Sequence, residues 1–153
     1  MSFAYGDQVV ENYGQPNYIY FLYHGFVLEN NTHDCVLFKT LRIDKNNVDT
    51  ENFQNMTTQL NINGFTSLNP TFCIRDSESL QKIETFLRIK FGKEDVREEL
   101  TFILQERMVR IDTALQQMEG IKKSTTEKEK TMINFVKSEE KMISNMLRKL
   151  MFP

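Results

Sequence analysis

The chain contains few of the side chains from which catalytic and metal sites are usually built. Its only histidines are His24 and His33, and its only cysteines are Cys35 and Cys73. His33, Asp34 and Cys35 are adjacent, but consecutive residues of an extended chain point to opposite sides and do not readily converge on one ion. Glycine-rich phosphate loops and nucleophile elbows do not occur in the sequence. The sequence therefore predicts no metal site and gives no sign of these common enzyme classes.

One stretch in the first part of the chain carries an ordered set of residues. Asn12-Tyr13-Gly14 follows a run of β-branched and polar residues that is typical of a strand, and Asn17 and His24-Gly25-Phe26 come after it. On pattern alone, a tyrosine at a strand end and a phenylalanine after a glycine are compatible with ordinary core residues. The order of the whole set, which continues to His33-Asp34, is what makes the stretch informative.

This set resembles the end of the SET domain in the Rubisco large-subunit methyltransferase group, which includes protein-lysine and actin-histidine methyltransferases. In that family a strand ends in a Tyr-Gly turn, an asparagine opens a helix, and the helix ends in a Gly-Phe pair. Tyr13-Gly14, Asn17 and Gly25-Phe26 occupy these places here, although the spacing between the turn and the Gly-Phe pair is slightly shorter. The resemblance implies N-methylation of a lysine or histidine in a protein substrate, with S-adenosylmethionine as the cofactor of a complete SET domain.

By the resemblance, Tyr13 is the catalytic residue, and His24, Gly25 and Phe26 contact the cofactor. Methyl transfer from a sulfonium is an in-line displacement, so the site must aim a neutral nitrogen at the methyl carbon and exclude water. A phenol suits this task because it is rigid and supplies one uncharged oxygen that accepts weak hydrogen bonds from the methyl group. Gly25 would allow close backbone approach, and Phe26 would pack near the purine.

The rest of the chain also resembles this family. The segment from Asn63-Gly64-Phe65 and the helix with Phe86-Leu87-Arg88-Ile89 resemble the entry to its helical substrate-binding domain, and the helix around Glu139-Glu140-Lys141 resembles its last helix. The family's glycine-rich strand and its Arg-Phe-x-Asn-His-like segment, which form most of the donor site, have no counterpart in these residues. We therefore expect a C-terminal fragment of such an enzyme, inactive alone, whose helical domain binds the protein substrate.

Two other interpretations remain open. The chain could be a stand-alone helical protein-interaction module without an enzymatic role, in which the strand and helix at the front only pack. A plain helical bundle without a specific function is also compatible with the apolar stripes, because a fold does not define a function.

The elements that would position the candidate site predict an α+β fold in three parts. Residues 1–43 are expected to form the short β-rich end of the SET domain, with one buried apolar helix that Asn17 caps and a strand at Cys35–Leu41. Residues 44–75 are rich in asparagine and aspartate and predict a linker with short extended segments. Residues 76–153 predict an all-helical substrate-binding domain.

Three amphipathic helices are predicted in this last part. Asp76 or Ser77 caps the first and Gly92 ends it, while the second continues to Gly120. A capping box at Ser124-Thr125-Thr126-Glu127 opens the third. Because the last two helices carry long apolar stripes, which include Leu104 and Phe135, and are joined by a few polar residues, they predict an antiparallel hairpin.

Composition limits the class of protein and its partners. The 153 residues are 40% hydrophobic and 26% charged, with a net charge of −2, which is typical of a globular protein and argues against nucleic acid or an anionic membrane as a partner. No signal-like segment opens the sequence, and two cysteines do not form a disulfide framework. These features favour reduced cysteines and a cytoplasmic or nuclear location.

Overall fold

The structure, a computed structural model, describes residues 14–39, 41–119 and 126–151. The catalytic candidate Tyr13, the strand predicted before it and the predicted capping residues Ser124 and Thr125 lie outside these ranges. In chain order the described elements are α1 (Asn17–His24), β1 (Val36–Phe38), a 3-10 turn (Lys45–Asn47), α2 (Thr50–Ile62), β2 (Phe72–Ile74), α3 (Ser77–Phe91), α4 (Arg97–Glu119) and α5 (Glu127–Met151). Over the described residues the chain is mostly helical with one small sheet, which confirms the α+β class in its coarse form.

The hydrophobic core is built by the helices α2 to α5 together with both strands. β1 and β2 pair antiparallel, with Val36 opposite Ile74 and Phe38 opposite Phe72. Phe72 and Phe86 contact each other edge to face, with ring centroids 5.5 Å apart. The core therefore joins residues from all three predicted parts, while the division into domains stays a prediction.

The three helices predicted from the apolar stripes are confirmed as α3, α4 and α5. The Asp76 carboxylate accepts a hydrogen bond from Ser79 N at 2.9 Å, and Ser79 Oγ accepts one from Asp76 N at 3.0 Å, so Asp76 caps α3 as predicted. Gly92 ends the helix with φ 63°. The reciprocal bonds that open α5 join Thr126 and Glu129, two residues later than the predicted pair.

The helices α4 and α5 pack against each other as the predicted hairpin. Arg107 of α4 forms an ion pair with Glu139 of α5, with Nη2 and Oε2 2.8 Å apart. Both residues are equally distant in sequence from the connection, as expected for antiparallel neighbours. Phe135, which the stripe assigned to this hairpin, instead stacks on Phe21 of α1, with ring centroids 5.1 Å apart.

The prediction of a linker with only short extended segments at residues 44–75 was wrong for the first half of this range, because α2 occupies Thr50–Ile62. Asp49 caps the helix by accepting a hydrogen bond from Asn52 N at 2.9 Å. Its apolar side chains are sparse but fall on one face, where Phe53, Met56 and Leu60 pack on the core. Burial of this face outweighs the weak helix propensity of the many asparagines and threonines.

The short helix α1 forms where it was predicted, but it is not wholly buried. Tyr20 is buried, whereas Leu22 is 69% and Tyr23 is 74% exposed. A helix of two turns that lies against α5 can bury only one side, even when nearly every residue is apolar. The Asn17 side chain does not cap the helix, because Pro16 precedes it as the capping residue without a side-chain hydrogen bond.

The two cysteines join the strands covalently, whereas the sequence favoured reduced thiols. Cys35 lies directly before β1 and Cys73 lies in β2, which places their Cα atoms 5.3 Å apart in a disulfide. This distance is within the ordinary range for the bond. A sequence separation of 38 residues concealed the pairing, because only the strand register brings the two residues together.

Candidate functional site

Asn17 and Asp34 form the centre of a buried polar network beside α1. Asn17 is 1% exposed. Its backbone N donates to Asp34 Oδ1 at 2.9 Å, and its Nδ2 donates to Asp34 Oδ2 at 2.7 Å. Asn17 also exchanges two hydrogen bonds with the backbone of Leu28, since Leu28 N donates to Oδ1 at 3.0 Å and Nδ2 donates to Leu28 O at 3.1 Å. The loop after α1 is thereby fixed to the beginning of the helix.

Asp34 extends this network to the middle of α5. Ser138 Oγ donates to Asp34 Oδ2 at 2.7 Å, and Cys35 N donates to Oδ1 at 3.0 Å. Both carboxylate oxygens therefore accept two hydrogen bonds each, which offsets much of the cost of burying the charge. Through Asp34, the position of α1 depends on α5.

A cluster of aromatic rings lies at the C-terminal end of α1. Tyr20 and Phe26 stack with centroids 5.1 Å apart, and His24 lies 5.9 Å from Phe26. Tyr20 is buried, whereas Phe26 is 42% exposed. The Phe26 ring thus covers a buried aromatic on one side and presents apolar surface to solvent.

Gly25 makes the turn between α1 and Phe26 in the left-handed conformation. Its φ is 72°, and its backbone N donates to Phe21 O at 3.2 Å. An added Cβ would meet nothing within 4 Å, so within the described residues the turn conformation, and not crowding, is what favours glycine. The structure thus brings together His24, Gly25 and Phe26, and the predicted approach of a cofactor to Gly25 stays a prediction.

Tyr13 cannot be placed relative to this cluster, because it lies outside the described residues. Its neighbour Gly14 has φ 59°, and a Cβ there would lie 3.7 Å from the His33 ring. His33 and Gly14 are therefore close in space. The Asn31 side chain connects the two segments, because its Nδ2 donates to Gln15 O at 2.8 Å and its Oδ1 accepts from His33 N at 3.0 Å. The loop that the sequence placed behind the site thus contacts the beginning of the described chain.

Sequence reasoning missed the network that supports this cluster. It took Asn17 as a helix cap and Asp34 as a loop residue, and it assigned Ser138 no role. Ser138 is 104 residues from Asp34, and nothing local to either residue predicts the contact. Asn17 alone carried a signal, because the resemblance gave an asparagine at this place.

A second buried charge lies one residue beyond Ser138. Glu139 is buried, and its two oxygens accept hydrogen bonds from Arg107 Nη2 at 3.1 and 2.8 Å. Burial raises the pKa of Glu139 above its usual value, the Arg107 guanidinium opposes this shift, and the nearby Asp34 carboxylate adds to it. Arg107 Nε is buried and has no acceptor within the described residues.

A groove lies beside α4. Its volume is about 490 Å³, within the range of small-molecule pockets, and it is lined by side chains from β1, the end of α3 and the first half of α4. Leu41, Phe91, Phe102, Lys90, Glu98 and Arg107 are among the lining residues. None of them belongs to the aromatic cluster of α1, so the groove and the predicted cofactor wall are separate surfaces.

Two features of the described residues concern the predicted partners. These residues contain no group of three histidine, cysteine, aspartate or glutamate residues arranged to hold a metal ion. None of the helices in the described ranges is both long enough and apolar enough to cross a membrane.

Comparison with known proteins adds no further constraint, because no family model, curated protein or solved structure matches the chain.

Proposed function

We propose that these residues are the C-terminal part of an S-adenosylmethionine-dependent, SET-type protein N-methyltransferase of the Rubisco large-subunit methyltransferase-like group. The end of α1 supplies one wall of the donor site, and the helical region binds the protein substrate. The acceptor is a lysine or a histidine. A cytoplasmic or nuclear location is part of this proposal, and in such a compartment the Cys35–Cys73 bond is expected to be open, because thiols are kept reduced there.

The observation that carries the proposal is the fixed turn His24-Gly25-Phe26. The Asn17–Asp34 network fixes the chain on both sides of this turn, at Asn17 and at Leu28. The Phe26 ring stacks on Tyr20 and is partly exposed to solvent. A partly exposed ring on a rigid support suits packing against a purine. The cofactor supplies the methyl group and its positive sulfur, while the residues of this chain orient it and exclude water.

Tyr13 has the positioning role in this proposal. Its phenol oxygen would hold the acceptor nitrogen in line with the methyl carbon, which is worth most in the transition state. Because only one wall of the donor site lies in these 153 residues, we expect the chain alone to bind S-adenosylmethionine weakly.

The test is Tyr13→Phe in a protein that contains these residues after a complete SET domain. The change removes one oxygen and keeps the ring, so kcat and kcat/KM for the protein substrate should both decrease at least about tenfold, or ~1.4 kcal/mol. The affinity for S-adenosylmethionine, measured by isothermal titration, should stay nearly the same.

Tyr23→Phe is the matched control, since Tyr23 lies on α1 and is largely exposed. It should retain full turnover. Full activity of Tyr13→Phe would contradict the role of Tyr13 and favour the alternative function, a helical protein-interaction module without an enzymatic role.

A further inference from the structure

The groove beside α4 exposes large apolar side chains that no described element covers. Phe102 is 65% exposed, and Phe91 at the end of α3 is also exposed. The half-buried Leu37 and the buried Leu41 line the groove from the β1 side. Exposed apolar side chains that converge on one concave surface are typical of a binding site, whereas scattered ones are ordinary.

Lys90 is a charged residue of the groove without a carboxylate partner. Among the described residues its ammonium forms no ion pair, and its one specific contact is with the Phe91 ring, whose centroid lies 5.2 Å from Nζ. Burial lowers the pKa of Lys90, and no nearby acid opposes this shift. Lys90 is thus partly withdrawn from water without a compensating negative charge, and a carboxylate would supply one.

Most of the other charges around the groove form ion pairs within the protein. Arg110 pairs with Glu106 at 3.1 Å, and Arg107 pairs with Glu139. Glu99 pairs with Lys93. Glu98 forms no ion pair with the described residues either, but it is exposed to solvent. Among the described lining residues, Lys90 is therefore the partly buried charge that lacks an ion-pair partner.

We propose that this groove binds an extended segment of a partner protein in which an acidic side chain lies next to a large apolar one. The carboxylate pairs with Lys90, and the apolar side chain packs on Phe102 and Phe91. A carboxylate is chosen because Lys90 is the partly buried charge of the groove without an ion-pair partner, whereas the unpaired Glu98 is solvated. A protein segment is chosen because the groove is open and presents aromatic surface beside the charge. This site goes beyond the proposed methyltransferase function and does not depend on it.

The test begins with a display library of short random peptides selected on the immobilised 153-residue chain. We expect the enriched peptides to combine Asp or Glu with a neighbouring aromatic residue or leucine. An enriched peptide is then synthesised with a fluorescent label, and its affinity is measured by anisotropy. Lys90→Glu should weaken binding at least about tenfold, because it places a negative charge opposite the acid.

Two further variants separate charge from packing. Phe102→Ala, at an exposed position that should not disturb the fold, is expected to weaken the same peptide several-fold. Lys82→Glu reverses a charge on α3 at a residue that does not line the groove, and it should leave the affinity unchanged. Far-ultraviolet circular dichroism checks that each variant is folded, and Lys90→Gln replaces Lys90→Glu if the reversal unfolds the protein.

The pairing itself is tested by changing both partners. Replacing the acid of the peptide with glutamine should weaken binding to the original chain, but it should have little further effect on Lys90→Gln, because these two changes remove the same interaction. On Lys90→Glu the same peptide change should strengthen binding, because it removes the repulsion between two carboxylates. The proposal is overturned if no peptide is enriched, if the enriched peptides lack acidic residues, or if Lys90→Glu binds them equally well. Sedimentation that shows a dimer dissociated by Phe102→Ala would also overturn it, since a second copy would then be the occupant.

Discussion

Asn17 illustrates how one side chain can fix the position of a whole segment. Its amide oxygen accepts from Leu28 N and Asn31 Nδ2, and its amide nitrogen donates to Leu28 O and Asp34. An asparagine has two donor hydrogens and two acceptor lone pairs, so its capacity is used in full. Aspartate, serine or leucine at this position would each leave part of this set unmatched.

The first prediction follows from this complete use of the Asn17 side chain. Asn17→Ala removes the donors and acceptors that satisfy Leu28 and Asp34, so the free energy of unfolding should decrease by about 2–4 kcal/mol. Urea denaturation followed by circular dichroism measures the change. Asn61→Ala, at an exposed position of α2, is the control and should stay within about 0.5 kcal/mol of the original chain. An equal effect of both variants would contradict the structural role of the network.

At the scale of elements, periodic apolar residues were a reliable guide and polar composition was not. The stripes of α3, α4 and α5 predicted those helices because burial of one face determines a helix. The helix α2 was not predicted, because Leu60 is its only fully buried residue. The many asparagines in this part of the chain have a low helix propensity and favoured a loop. Arg107 and Glu139 belong to separate helices, so the hairpin could be predicted but their pairing could not.

The second prediction concerns the pH dependence of this pair between α4 and α5. Because the folded-state pKa of Glu139 is raised, the folded protein binds more protons than the unfolded chain between the ordinary value of 4.5 and the raised value. The contribution of Glu139 is therefore fully present below the ordinary value and is lost as the pH rises through the folded-state pKa. Relative to Glu139→Gln, which does not titrate, the original chain should gain stability as the pH is lowered from neutral.

Urea denaturation of both proteins across this pH range measures the difference. Glu140→Gln changes the same type of residue at the next position of α5, which forms no ion pair with the described residues, and serves as the control. A difference between the original chain and Glu139→Gln that does not vary with pH would show that burial does not perturb Glu139.

At the scale of the whole molecule, the disulfide connects the beginning of β1 to β2, the two strands of the sheet. Val36 of β1, Phe72 of β2 and Phe86 of α3 belong to the same hydrophobic core. The bond between Cys35 and Cys73 therefore lies beside the part of the core where the sheet packs on α3. Cys35 is buried and Cys73 is exposed, which makes Cys73 the less disruptive position to change.

The third prediction is that the effect of this bond depends on redox conditions. Without reductant, Cys73→Ser should lower the free energy of unfolding by about 2–4 kcal/mol, because the bond restricts the unfolded chain over a separation of 38 residues. In excess dithiothreitol the original chain and the variant should be equally stable. A stability difference that is the same under both conditions would indicate that the serine itself, and not the lost bond, is responsible.

The hydrogen bond between Asp34 and Ser138 has a consequence for the order of events during protein synthesis. The two residues are 104 positions apart, so Asp34 leaves the ribosome long before its partner is made. Until α5 emerges, Asp34 lacks its hydrogen bond with Ser138 and Phe21 lacks its stacking partner Phe135. The helix α1 therefore cannot yet pack against α5. The hairpin of α4 and α5 can form from local contacts alone, and the front of the molecule completes its structure only afterwards.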